Sequence, residues 1–275
     1  MSFERQVAVV TGAGSGIGAA LTRALAARGA KVVATDIDTV GLARVAQETG
    51  CEQAELDVGR ADRFEALLRD VHQRYGRIDL LFNNAGIGVG GELLDISVDD
   101  WRRVLDVNLW GVLHGARAAY ALMRQQGFGQ IVNVASIAGL VPYSLALPYT
   151  TTKHAVVGFS QALRAEAADY GISVSVVCPG AIETPIWTRS PLRGDGDRER
   201  ALEWVKRAWM PVDECAAKIL AGVAKKKAVI PVTREAWVLW MLHRLSPSLS
   251  LRVHRALVGK LRALPERRVA STAAV

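Results

Sequence analysis

Short apolar runs alternate with helix-length amphipathic stretches through most of this 275-residue chain. That alternation limits the fold more than any other feature. Val7–Val10, Lys31–Thr35, Glu52–Leu56, Leu80–Phe82, Gln130–Ala135, Ser173–Val177 and Val229–Val232 read as strands. Ile17–Arg28, Thr39–Thr49, Arg60–Tyr75, Val98–Arg124 and Tyr149–Tyr170 read as helices. Arg60–Tyr75, for example, sets Phe64, Leu67, Leu68 and Val71 on one face, the 3.6-residue period of a helix laid on a core. Repeated strand–helix units of this length predict an α/β protein: a single doubly wound parallel sheet with helices on both faces. The length suffices for one large domain with a substantial core.

The first strand runs directly into Thr11-Gly12-Ala13-Gly14-Ser15-Gly16-Ile17-Gly18, which opens the first helix. Glycines let backbone approach where a Cβ would block it. A helix N-terminus offers unpaired N–H groups and partial positive charge to a phosphate. Gly12, Ser15, Gly16, Ile17 and Gly18 are therefore candidates to cradle a pyrophosphate. Asp36 ends the second strand, 18 residues after Gly18. A carboxylate there accepts hydrogen bonds from a ribose diol and repels a 2′-phosphate. Thr35 to Leu42 holds no Lys or Arg, so NAD is favoured over NADP. The plain alternative is that Asp36 serves only as a turn or cap residue. Asp57-Val58, after the third strand, is placed to reach an adenine edge, or is simply another turn.

Tyr149 and Lys153 are i and i+4, one helical turn apart on one face. A fixed ammonium favours a phenolate, and a Tyr so tuned moves protons near neutral pH. Taken alone, the spacing is weak evidence and fits a surface Tyr–Lys contact better than a catalytic pair. The whole set of Thr11-Gly12-x-x-x-Gly16-Ile17-Gly18, Asp57, Asn83-Asn84-Ala85-Gly86, Asn108, Ser136, Tyr149-x-x-x-Lys153 and Pro179-Gly180-x-x-x-Thr184 resembles the short-chain dehydrogenase/reductase family over about residues 5–232. The resemblance implies a Rossmann-type domain, a nicotinamide cofactor, and a homodimer or homotetramer. It places the catalytic set on Asn108, Ser136, Tyr149 and Lys153. Tyr149 would carry the proton, while Lys153 would lower its pKa and hold the nicotinamide ribose. Ser136 would hold the substrate oxygen, and Asn108 would anchor a water in a relay to Lys153. Asn84, Ala85 and Gly86 would line the adenosine side. Pro179, Gly180, Ile182 and Thr184 would pass the nicotinamide. The alternatives are a structural or helix-kinking Asn108, a turn-capping Ser136 and a plain proline turn at Pro179.

Arg189–Arg200 contains Pro191, Gly194, Asp195, Gly196 and Asp197 and is bracketed by Trp187, Trp204 and Trp209. Residues 185–212 are thus expected to form a lid over an apolar ligand, the alternative being a surface excursion. Residues 1–232 would form the dehydrogenase domain and 233–275 a basic helical extension. From Lys225 onward the chain holds 11 Lys/Arg against 2 Asp/Glu, while the rest is nearly neutral. Leu249, Val253, Leu257, Leu261 and Leu264 form a stripe, with Arg252, Arg255 and Arg262 opposite and Trp237 and Trp240 nearby. Such a helix suits peripheral contact with a membrane; packing on its own or a partner subunit is the alternative. Cys51, Cys178 and Cys215 form no C-x-x-C pair and read as free thiols of a cytoplasmic protein. No metal site and no nucleic-acid module is expected. The function expected is hydride transfer between NAD and a secondary alcohol or ketone, on a bulky apolar (steroid-like, terpenoid or long-chain) substrate. The alternatives are an NADP-dependent carbonyl reductase and a non-catalytic NAD-binding regulator.

Overall fold

The computed structural model describes residues 3–194, 206 and 209–262. A seven-stranded, wholly parallel sheet forms the centre, in the order β3-β2-β1-β4-β5-β6-β7. The strands are β1 Val7–Thr11, β2 Lys31–Asp36, β3 Glu52–Glu55, β4 Leu80–Asn83, β5 Gly129–Val134, β6 Ile172–Cys178 and β7 Val229–Pro231. The helices between them are α1 Gly16–Ala26, α2 Thr39–Thr49, α3 Ala61–Tyr75, α4 Val98–Leu105, α5 Gly111–Gln126, α6 Leu147–Ala167, the short α7 Ile186–Arg189, and α8 Val212–Ala224. After β7 come α9 Arg234–Leu245 and α10 Pro247–Arg262.

Every residue of β1 is buried, because helices cover both faces of the sheet. Ala8 and Val10 pack with Leu21, Leu25 and Ile219 on one side. Val7 and Val9 pack with Phe64, Leu68 and Met123 on the other. The period-2 alternation of a strand thus feeds two cores. The chain winds outward from β1 to β3, then returns to β4 and winds the other way. β1 and β4 therefore part at their C-terminal ends and leave the crevice where α/β sheets bind ligands.

The expected single helix over Val98–Arg124 is interrupted. Between α4 and α5 lies a π-helical turn, Asp106–Trp110, in which the Gly111 N–H reaches back to the Asp106 carbonyl. One extra residue is held in the turn, and Asn108 sits at its centre, fully buried.

Candidate active site

Each candidate lies at or just beyond the C-terminal end of a strand, save Asn108 in the π turn and Tyr149 and Lys153 on α6. The glycine turn leaves β1 with Gly12 at φ 67° and Gly16 at φ 53°, conformations that favour glycine. A Cβ on Gly18 would stand 2.0 Å from the Gly12 carbonyl oxygen, so the turn closes only without one. Ser15 precedes α1, and its side chain makes no capping bond. The N–H groups of the first turn are thereby left for an anion. Across the crevice, the Thr11 hydroxyl accepts from the Asn84 and Ala85 N–H groups, both at 3.0 Å. The Asn84 amide donates to the Thr11 carbonyl at 2.8 Å. These bonds fix the glycine turn to the end of β4.

Asp36 accepts from the Gly14 N–H at 2.8 Å and from the Asp38 N–H at 2.9 Å. The carboxylate is aimed by backbone, and each oxygen keeps a lone pair for a ribose hydroxyl. Two cations, not foreseen from the Thr35–Leu42 window, stand close by. Arg44 reaches the Gly14 carbonyl at 3.5 Å, and Arg189 reaches Asp38 at 3.5 Å. Asp57 is exposed and turns back on the Gly59 N–H at 2.9 Å, the geometry of a turn residue. Val58 is buried, and its carbonyl lies 3.1 Å from the His114 ring.

Ser136 follows β5, and its hydroxyl accepts from the Ala138 N–H at 3.2 Å. It therefore caps a turn, and it also shares a hydrogen bond with the Tyr149 phenol. The Lys153 ammonium is buried, donates to the Val134 carbonyl at 2.9 Å, and lies 5.4 Å from the centre of the Tyr149 ring. Its remaining protons are free for other acceptors. Asn108 accepts from the Ile87 N–H at 2.8 Å and donates to the Ile87 carbonyl at 2.9 Å and the Thr152 hydroxyl at 3.3 Å. A Cβ on Gly86 would lie 3.4 Å from the Asn108 oxygen and 3.5 Å from the Lys153 nitrogen. Gly86 thus marks the gap that a relay between the two would cross.

The proton energetics differ from the sequence expectation. Burial pushes the Tyr149 phenol up to about 12, with the Ser136 hydrogen bond pulling the other way. Burial also drives Lys153 down to about 8. Loss of water thus outweighs the attraction expected between ammonium and phenolate. Cys178 ends β6 beside both groups, its thiol raised by burial to about 12.

The Pro179 carbonyl accepts from the Ile137 N–H at 2.7 Å, tying this loop to the one carrying Ser136. Gly180 has Thr233 where its Cβ would go, at 2.3 Å, and the Thr184 methyl lies 3.2 Å from the corresponding point on Gly16. The loop after β6 therefore crosses the glycine turn. Ile182 is buried, and its carbonyl accepts from the Trp187 indole at 2.8 Å. Of the expected lid, 195–205 and 207–208, with Trp204, lie outside the described residues. Its first part is tied down. Gly90 donates to the Pro191 carbonyl and accepts from the Arg193 N–H, while the Gly91 N–H donates to the Leu145 carbonyl. Arg193 grips the buried Asp100 through two bonds of 3.0 and 2.8 Å. Asp100 also closes the capping box of α4 with Ser97. The Arg193 guanidinium is the main cause that holds the Asp100 carboxyl down at about 2. Among the described residues no cluster fit for a metal ion occurs, and the three cysteines are free.

The family model for short chain dehydrogenase matches residues 6–193. The oxidoreductase SadH of Mycobacterium tuberculosis is 37% identical over 268 residues, 94% of this chain and 97% of that protein. The oxidoreductase EphD of the same organism is 36% identical over 253 residues, and the chain spans only 43% of that longer protein. A solved short chain dehydrogenase/reductase from Burkholderia phymatum, in complex with NAD, superposes with a TM-score of 0.81 at 31% identity, covering 90% of this chain and 96% of its own. A match over more than half the sequence, on the strands and turns described above, makes this chain a member of the short-chain dehydrogenase family of oxidoreductases.

Proposed function

We infer that the protein transfers a hydride between NAD and a secondary alcohol or ketone. The observation that carries this reading is the meeting of the Ser136 hydroxyl, the Tyr149 phenol and the Lys153 ammonium at one corner of the crevice. The nicotinamide, when bound, supplies or accepts the hydride. The residues present fit such a dinucleotide: the uncapped first turn of α1 suits the pyrophosphate, and Asp36 suits the ribose diol. Lys153, Ile182 and Thr184 would hold the nicotinamide end, and Asn84, Ala85 and Gly86 would line the crevice between.

Ser136 donates to the substrate oxygen and holds the charge that develops there. Tyr149 delivers the proton to that oxygen in reduction and takes it in oxidation. Lys153 is the nearby cation that offsets the burial of the phenol once charge forms on it. Asn108 holds Ile87 and the π turn in place and faces the gap at Gly86, through which a water would reach Lys153. The loops carrying Ile87 and Val89, Leu140 to Leu145, and Pro191 to Arg193 are tied together beside this corner. Val89, Leu140 and Val141 are spent on the core, and the partly buried Ile87, Leu145 and Leu192 are the side chains that favour a bulky apolar substrate.

NAD is preferred to NADP on the strength of Asp36, whose oriented carboxylate opposes a 2′-phosphate. Arg44 and Arg189 are the groups that would soften that preference. The test is a panel of hydrophobic secondary alcohols and ketones assayed with each cofactor, following absorbance of the reduced nicotinamide. Turnover with NAD and weak turnover with NADP is expected. No turnover on any member, with NAD bound, would favour the regulator.

A further inference from the structure

The helix α9 carries apolar residues on two opposite sides, with the exposed Arg234, Glu235 and Arg244 between and beside them. Ala236 is buried, and Leu239 and Trp240 pack against the cluster of Val156, Val157 and Val176. On the other side Trp237 is 52% exposed, Val238 47% and Leu245 80%. A helix with two apolar faces needs two coverings, and the fold supplies one. The stripe on α10 does not play the part expected of it. Val253 and Leu257 are partly buried where α10 packs on α9, and Leu249 is left half-exposed. The outer side of α10 carries the exposed Arg252, Arg255 and Lys260.

At the start of α9 lies a groove of about 430 Å³ lined by Lys218, Lys225, Lys227, Arg234 and Trp237. Lys218 pairs with Glu214 at 2.8 Å. Lys225, Lys227 and Arg234 have no ion-pair partner among the described residues. The exposed apolar face thus begins at a concave patch of unneutralised cations. A second copy of this chain is a poor cover for it, because a two-fold contact would set these cations against themselves. An anionic bilayer meets both halves: phosphates for the groove, and an interfacial zone for the Trp and aliphatic side chains. No helix among the described residues is long and apolar enough to cross a membrane, so the contact is peripheral.

We propose that α9 docks on an anionic phospholipid surface, with Trp237, Val238 and Leu245 entering the interface and a lipid phosphate seated among Lys225, Lys227 and Arg234. The full chain should co-sediment with vesicles of phosphatidylcholine and phosphatidylglycerol. It should stay in solution with phosphatidylcholine alone, and release at high salt. Lys225→Gln, Lys227→Gln and Arg234→Gln should weaken binding about five-fold each, and Leu245→Asp should weaken it with the charges intact. Equal binding to both vesicle types, or to neither, overturns the proposal. So does a fall in solution mass of the Leu245→Asp variant without vesicles, which would show that a second copy covers the face. None of these readouts involves turnover, so the result stands apart from the proposed reaction.

Discussion

The two halves of the crevice are built from different materials. The half proposed to hold the nucleotide, from Gly12 to Asp36, is made of backbone: N–H groups, positive-φ glycines and a carboxylate aimed by two main-chain bonds. The proposed catalytic corner is made of side chains, the buried Ser136, Lys153 and Asn108 and the partly buried Tyr149, two of which are pushed well off their ordinary pKa values. Backbone sites tolerate changes of polar side chain but not added bulk. Side-chain sites keep their fold when altered and lose their chemistry.

That contrast is open to direct attack. Tyr149→Phe should lower kcat on a found substrate by on the order of 1,000-fold, while a fluorescence titration shows unchanged NAD binding; persisting turnover would remove Tyr149 from its role. Gly18→Ala should do the reverse. Its Cβ would meet the Gly12 oxygen at 2.0 Å, so nucleotide binding should be lost and stability should fall by about 3 kcal/mol, read by thermal melting. Ser15→Ala, which removes a side chain that caps nothing, should melt like the parent.

Lys153→Met sharpens the difference further. The folded-state value of about 8 lies below the ordinary 10.5, so below pH 8 the fold carries a desolvated ammonium. Stability therefore rises as pH climbs from about 8 towards 10.5. The variant should be inactive yet melt higher than the parent at pH 7, with the gain vanishing near pH 10.5. Gly86→Ala makes only ordinary contacts, so its melting should be unchanged while kcat drops about 10-fold from a narrowed gap between Asn108 and Lys153.

The smallest effect concerns the ion pair that ties residues 191–194 to α4. Asp100 is held near about 2 against an ordinary 3.8, so its contribution is full above pH 4 and is lost as pH falls towards 2. Asp100→Asn should cost about 1 kcal/mol at pH 7, since Arg193 is half in solvent, and only a small part of that at pH 2. A pH series of melting curves reads both.

The strands and most helices were legible because their periodicity is local. The glycine turn, Asp36 and the Tyr149–Lys153 pair stand at offsets from a strand or helix that the chain itself displays, whereas Ser136 and Asn108 become legible through the resemblance to a family. What escaped depends on distance or on dehydration. Arg193 and Asp100 are 93 residues apart, although the Ser97-x-x-Asp100 capping signal was in plain view. The α10 stripe was visible, but not that α9 would cover part of it and leave its own face bare. The upward shift of Tyr149 follows from burial, which the spacing of Tyr and Lys does not report. Thr11 was read as part of a motif, yet its hydroxyl is what joins the turn to β4.

The π turn at Asp106–Trp110 also acts as a phase shifter. α4 must turn Asp100 and Val104 inward, while α5 must turn Val112, Ala116, Ala119 and Met123 towards the sheet. Deleting one residue from the turn would give an ordinary α-helix and rotate everything downstream by about 100°. The register of Asn108 and the seating of α5 would then be lost together. This single surplus residue keeps the buried faces of α4 and α5 out of step along one continuous helical path.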